Sequence, residues 1–201
     1  VTRGRTRPEL AADLERAAAG GITQLLCILG DHAPAPGVAS PPIREVVQMA
    51  VAALPGAAVG ATFNQYARDR EAALRNLIPK LEAGASYVQT QPAFDVPALA
   101  AVAAVMRELA PAVRIVPMVM PLLDGEAAAK IEARLGVALP PAVHARIAAG
   151  PEASWQLFDE TVAGLVAAGA ADGLAVMTFE TDPPPGVGAR ILEALGKSGI
   201  S

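Results

Sequence analysis

The sequence predicts an α/β protein built on a parallel β-sheet, and three features carry that prediction. Short runs rich in β-branched and other apolar residues alternate with Ala-rich amphipathic segments along all 201 residues. The joints between them are short and carry Gly, Pro or polar residues. The apolar runs are nearly continuous, as expected of strands whose faces are buried by crossover helices.

The first helix is expected over Arg7 to Ala19. It opens at Thr6-Arg7-Pro8-Glu9 and closes at Gly20-Gly21, where glycine supplies the left-handed C-terminal conformation. Strand Ile22 to Leu29 follows at once. A Pro-rich loop, Ala33 to Pro42, then leads to helix Ile43 to Ala53 and strand Ala58 to Phe63. Two further units repeat the rhythm: helix Ala67 to Ala83 with strand Tyr87 to Gln91, and helix Val96 to Leu109 with strand Val113 to Met118. After Pro121 the period lengthens. Helical stretches near Gly125 to Leu135, Pro141 to Ala148 and Ala153 to Ala168 precede strand Leu174 to Phe179 and a last helix, Gly186 to Leu195.

Five strands are thus expected, whereas a closed (β/α)₈ barrel needs eight and typically about 250 residues. The chain reads as the last five βα units of such a barrel or as an open sheet. No Ser/Gly linker or break in composition divides it, so residues 1–201 are expected to form a single domain. The opening Val-Thr-Arg-Gly-Arg-Thr-Arg has no apolar stretch after its basic residues, unlike a signal peptide, and the absent initiator Met suggests upstream residues.

A hydrophobic content of 53% is ample for a buried core, and 3% aromatics leaves Ala, Val, Leu and Ile to build it. The net charge of −4, without a block of like charge, offers no footprint for nucleic acid, so a small-molecule ligand is the expected partner. The uncharged stretch Val46 to Ala67 is broken by Pro55-Gly56 and Gly60 and reads as helix, turn and strand, so no membrane span is expected. A single cysteine, Cys27, excludes an intramolecular disulfide and fits a cytoplasmic location. It sits among Leu25, Leu26, Ile28 and Leu29, as a buried, inert thiol would.

In parallel βα architectures ligands bind at the C-terminal ends of strands. Those ends nominate Gly30-Asp31-His32, Phe63-Asn64, Thr90-Gln91, Pro117 to Pro121, and Thr178 with Glu180. Asp31 follows a glycine, which lets a planar ligand approach its carboxylate closely; a turn-capping role fits as well. Gln91 has the donor and acceptor needed to read an amide-like heterocycle edge; the alternative is a bond that orders its loop. His32 and His144 have no companions at metal-ligand spacing, so no metal site is expected. The dinucleotide, P-loop and nucleophile-elbow motifs are absent, and Gly186-x-Gly188 reads as a turn.

At Gly30-Asp31 and at Lys80-Leu-Glu-Ala-Gly-Ala-Ser-Tyr-Val-Gln-Thr-Gln-Pro-Ala-Phe-Asp95 the chain resembles methylenetetrahydrofolate reductases. Their pattern has Gly-Asp after a strand, then Lys-x-(Asp/Glu)-Ala-Gly-Ala followed by Thr-Gln and Phe-Asp. Pro117-x-x-x-Pro121, Leu135 to Pro140 and Thr178 continue the match in order. The resemblance implies a (β/α)₈ TIM barrel, of which this chain supplies about five units. It also implies a cytoplasmic flavoprotein of one-carbon metabolism: NAD(P)H reduces bound FAD, and the flavin passes hydride to 5,10-methylenetetrahydrofolate. Asp31 would be the catalytic carboxylate near flavin and pterin. Gln91 would orient the pterin, and Ile147 would lie against the folate. Gly30, Phe63, Asn76 and Lys80 would contact the flavin.

The departures lie mostly on the flavin side. Leu29 stands where an Arg commonly precedes the Gly-Asp pair, Ala73 where an acidic residue is common, and Met118 where Gly usually follows Pro. Met177 and Thr181 replace a frequent Tyr and Arg, and Asn64 to Asp69 is short and lacks the usual His. The family's general acid is a Glu on the first barrel strand, expected upstream of Val1. The alternative reading is a folate-binding one-carbon protein, alone as a homo-oligomer or as a partner subunit, that has lost tight flavin binding.

Overall fold

The structure is a computed structural model that describes residues 1–30, 38–178 and 183–199. In chain order its elements are α1 (Arg7–Ala19), β1 (Gln24–Cys27), α2 (Ile43–Ala53), β2 (Ala58–Phe63), α3 (Arg70–Glu82), β3 (Tyr87–Pro92), α4 (Val96–Leu109) and β4 (Arg114–Val119). Then follow α5 (Gly125–Leu135), α6 (Pro141–Ala148), α7 (Pro151–Ala167), β5 (Ala175–Val176) and α8 (Val187–Ser198). The five strands form one sheet in sequence order, β1-β2-β3-β4-β5, the arrangement that successive right-handed βα crossovers produce. The β1/β2 pair is parallel with Cys27 opposite Ala61, and β4/β5 is parallel with Val119 opposite Val176.

The fold class follows the sequence pattern, with differences at element ends that have local causes. β1 stops at Cys27 because the carbonyls of Ile28 and Leu29 accept from the backbone N–H groups of Thr2 (3.0 Å) and Arg3 (2.8 Å). α3 begins at Arg70, three residues later than expected. Asn64 first holds a turn, its side chain accepting from Tyr66 N (2.9 Å) and its carbonyl from Ala67 N (3.2 Å), and Asp69 then caps the helix through Ala72 N (2.8 Å). α7 starts two residues early because Pro151 fits the first helical position. β5 is two residues long, and Phe179, the expected end of that strand, lies outside the described residues.

The chain divides into two compact units, Val1–Gln89 with Met106–Arg114, and Thr90–Val105 with Ile115–Ser201. In the first, Leu10, Leu14, Val46, Val47 and Ala50 of α1 and α2 pack on Cys27, Val59 and Ala61, the helix-covered face of β1 and β2. On the other face Gly60 lies against the ring of Tyr87, where a Cβ would overlap the aromatic carbons. In the second, Met120, Leu122, Ala128, Ile131, Leu139, Val143 and Ile147 form the apolar cluster of α5 and α6. There, Asp172 closes the start of β4: its carboxylate accepts from Ile115 N and its own N–H donates to Ile115 O, both at 2.8 Å.

Candidate functional site

Within the first unit, the C-terminal ends of β1 and β2 carry the candidate flavin-side residues. Phe63 closes β2 and is buried, 3% exposed. One residue earlier, the Thr62 carbonyl accepts a hydrogen bond of 3.1 Å from Lys80 Nζ, which reaches it from the last turn of α3. Burial lowers the Lys80 pKa, because leaving water disfavours the charged form. An ammonium has three donors, and the Thr62 bond engages one of them. Asn76 is exposed one turn earlier on the same helix face.

Gly30 follows β1 with φ +91°, a conformation that favours glycine, and packs against Val1 and Arg3; a Cβ there would lie 4.0 Å from Arg3 Cβ and overlap the Val1 side chain. Asp31, the candidate catalytic carboxylate, lies outside the described residues, as do His32, Glu180 and Thr181. Cys27 is buried, and desolvation pushes its thiol up to about 11, as the sequence reading of an inert thiol requires.

In the second unit, Gln91 is half-buried near the end of β3. Its neighbour Thr90 is 2% exposed, and the Thr90 hydroxyl donates to the Gln91 carbonyl (2.8 Å) while accepting from Met118 N (3.4 Å). Thr90 thus ties the Gln91 backbone to β4 by side-chain bonds, a role that strand placement alone did not reveal. Ile147 is buried on α6 and packs with Met120, Leu122 and Val143.

Those three side chains also line a cleft of about 340 Å³, counted to its open mouth, together with Phe94, Ser154 and Phe158. Ser154 is 2% exposed and its hydroxyl has no hydrogen-bond partner among the described residues. Nothing in the sequence pattern distinguished Ser154 from an ordinary helix residue. Among the described residues no group of three or more His, Cys, Asp or Glu could hold a metal ion, and no helix is long and apolar enough to cross a membrane.

Asn76 and Lys80 thus place an amide and an ammonium on one helix face, with the ammonium at the end of β2. Gly30 and Phe63 bracket that end of β1 and β2 without contributing charge.

No curated protein matches the chain. Among solved structures it is similar to a dihydrodipicolinate synthase family protein from Coccidioides immitis, at 21% identity over 88% of this chain and 64% of that one, with a TM-score of 0.43. It is also similar to dihydrodipicolinate synthase from Rhodopseudomonas palustris (17% identity, 84% and 56% of the two chains, TM-score 0.43). A third likeness is to a homocysteine methyltransferase from Escherichia coli (16% identity, 96% and 86%, TM-score 0.41). The chain spans less than two thirds of the length of the first two, and likenesses this distant carry no argument about activity. The methylenetetrahydrofolate reductase family model, by contrast, matches residues 2–181. With nearly its whole length matched, the chain belongs to the methylenetetrahydrofolate reductase family.

Proposed function

We propose that the protein reduces 5,10-methylenetetrahydrofolate to 5-methyltetrahydrofolate, with NAD(P)H as electron donor and FAD as hydride carrier. The observation that carries this reading is the family match over residues 2–181. The half-buried Lys80 at the β2 end supports it locally. When bound, FAD supplies a two-electron carrier between the nicotinamide and the folate. Lys80 would hold the anionic arm of the cofactor and Asn76 would hydrogen-bond its hydroxylated chain, with Gly30 and Phe63 shaping the strand ends at that site. Gln91, through its paired donor and acceptor, orients the pterin edge, with its backbone fixed by Thr90. Asp31 is the carboxylate assigned to stabilise charge that develops during hydride transfer. Ile147 contributes to the apolar wall on the folate side, behind Met120, Leu122 and Val143. Cytoplasmic location and assembly as a homo-oligomer or with a partner subunit belong to the same proposal.

A second reading, a folate-binding one-carbon protein without tight flavin, is favoured by Leu29, an apolar side chain 42% exposed where the family commonly has Arg. One experiment separates the two. The purified protein is titrated with FAD and followed by flavin absorbance, then reduced anaerobically with NADH or NADPH and reoxidised with methylenetetrahydrofolate. Reoxidation that is lost in Gln91→Ala supports the reductase. A folded, colourless protein that takes up folate but no FAD replaces it with the second reading.

A further inference from the structure

Ser154 stands at the opening of α7 with its hydroxyl buried, and among the described residues that hydroxyl has no hydrogen-bond partner. It is one of two polar side chains lining the cleft of about 340 Å³ in the second unit. The other, Thr161, donates back to the Leu157 carbonyl (2.8 Å), so its proton is engaged. The rest of the lining is apolar: Phe94 follows β3, Met120 and Leu122 follow β4, Val143 belongs to α6 and Phe158 to α7. An unbonded hydroxyl in such surroundings carries a desolvation cost that a bound polar group would remove.

A single water answers that need poorly. An ordered water takes about two to four polar partners, and the lining side chains offer two hydroxyls, one of them already engaged. A charged group fits no better, because no Asp, Glu, Lys, Arg or His lines the cleft to pair with it. The lining suits a neutral molecule with an apolar body and one hydroxyl or carbonyl, the body against the aromatic and aliphatic side chains and the polar atom on Ser154 Oγ. Counted to its open mouth, the volume lies at the lower end of the ~300–1,000 Å³ of small-molecule pockets, which sets the body at about one ring or a short chain. The walls stand without an occupant: Arg146 of α6 donates from Nε to the Ala153 carbonyl (3.3 Å) and pairs with Glu160 of α7 (2.7 Å), tying together the two helices on which Val143 and Ser154 lie. None of the described candidate folate or flavin residues lines the cleft.

We infer that this cleft is a second small-molecule site, separate from the residues assigned to folate and flavin, which takes a neutral compound of about one ring through one hydrogen bond to Ser154. The inference goes beyond the reductase reading and does not rest on it. Phenol and toluene are the probes: they have nearly the same shape, and only phenol can bond a hydroxyl. Both are titrated into the full chain and into Ser154→Ala, with Tm and ligand-observed NMR as readouts. Trp155, the one tryptophan of the chain, meets Phe158 edge to face with ring centroids 5.8 Å apart, so its indole resonance reports whether the cleft is filled.

The wild type is expected to bind phenol about tenfold more tightly than toluene and to shift the Trp155 resonance with either probe. Ser154→Ala should weaken phenol binding about tenfold, a loss of ~1.4 kcal/mol, and leave toluene binding unchanged. Val143→Phe, which fills the cleft from α6, should weaken both probes together while the far-ultraviolet spectrum stays that of the wild type. Equal binding of phenol by the wild type and Ser154→Ala overturns the inference. So does a wild type that leaves the Trp155 resonance unmoved at saturating phenol, or a Ser154→Ala variant that loses toluene along with phenol. Because neither folate nor flavin enters the experiment, its failure leaves the reductase reading standing.

Discussion

Replacing Gly60 by Ala isolates one close approach in the sheet. Gly60 lies in β2 with the Tyr87 ring lying against its Cα, and a Cβ would overlap three ring carbons. No left-handed φ is involved at this position, so the perturbation is steric alone. The cost is that of overpacking, about 1–3 kcal/mol, and it is limited by how far the ring can swing. For a chain of this size each kcal/mol lowers Tm by roughly 2–4 °C, so Gly60→Ala should lose about 4–8 °C for a mid-range cost. Two readouts identify the cause. Burial first, and then the neighbouring Cys27, raise the Tyr87 pKa, while Arg114 partly offsets them; a displaced ring should titrate closer to its ordinary value in a spectrophotometric pH titration. The chain has only two tyrosines, which makes that change resolvable. In a Tyr87→Leu background the cost of Gly60→Ala should fall by at least half. An undiminished cost in that background, or an unchanged tyrosine titration in the single variant, would refute the steric account.

Ser154→Ala removes a buried hydroxyl that has no partner among the described residues, so Tm should rise by a few degrees, for a gain of about 1 kcal/mol; a fall in Tm would mean the hydroxyl is bonded in solution. The Glu132 pKa is lowered first by the Leu139 N–H (2.7 Å) and then by its bond to His144 Nε2 (2.9 Å). Because the folded value is depressed, its stabilisation is present above the unfolded value and lost as pH falls through the folded one. Urea midpoints measured from pH 6 down to pH 2.5 should therefore fall more steeply for the wild type than for Glu132→Gln, and parallel curves would count against this linkage. With its pKa pushed from 9.0 to about 11, Cys27 holds ~100-fold less thiolate at pH 8 than an ordinary thiol, so iodoacetamide should label it at least that much more slowly in the native state than in urea.

The βα rhythm was legible because crossover helices and buried strands leave different apolar periods, and these survive an Ala-rich composition. Element ends were less legible, since they depend on partners that periodicity does not report. Thr2 and Arg3 take the carbonyls that would have extended β1 to Leu29, and Asn64 diverts the chain before α3. Candidate residues at strand ends, such as Gln91, could be nominated from position; what holds them could not. Thr90 acts through two hydrogen bonds, one of them to a strand 28 residues away in sequence.

Three helices that follow strands begin in the same way. Asp69, Asp95 and Asp124 each turn a carboxylate back onto a first-turn amide, Ala72, Ala98 and Ala127 respectively, at 2.8 to 2.9 Å. These amides are the groups with which many βα proteins grip free phosphate at a helix start. Here each helix carries its own resident anion, tethered at an effective concentration that millimolar inorganic phosphate cannot match. The starts of these three helices are thereby closed to inorganic phosphate, and in the proposed function it is side chains such as Lys80 that would meet a charged ligand.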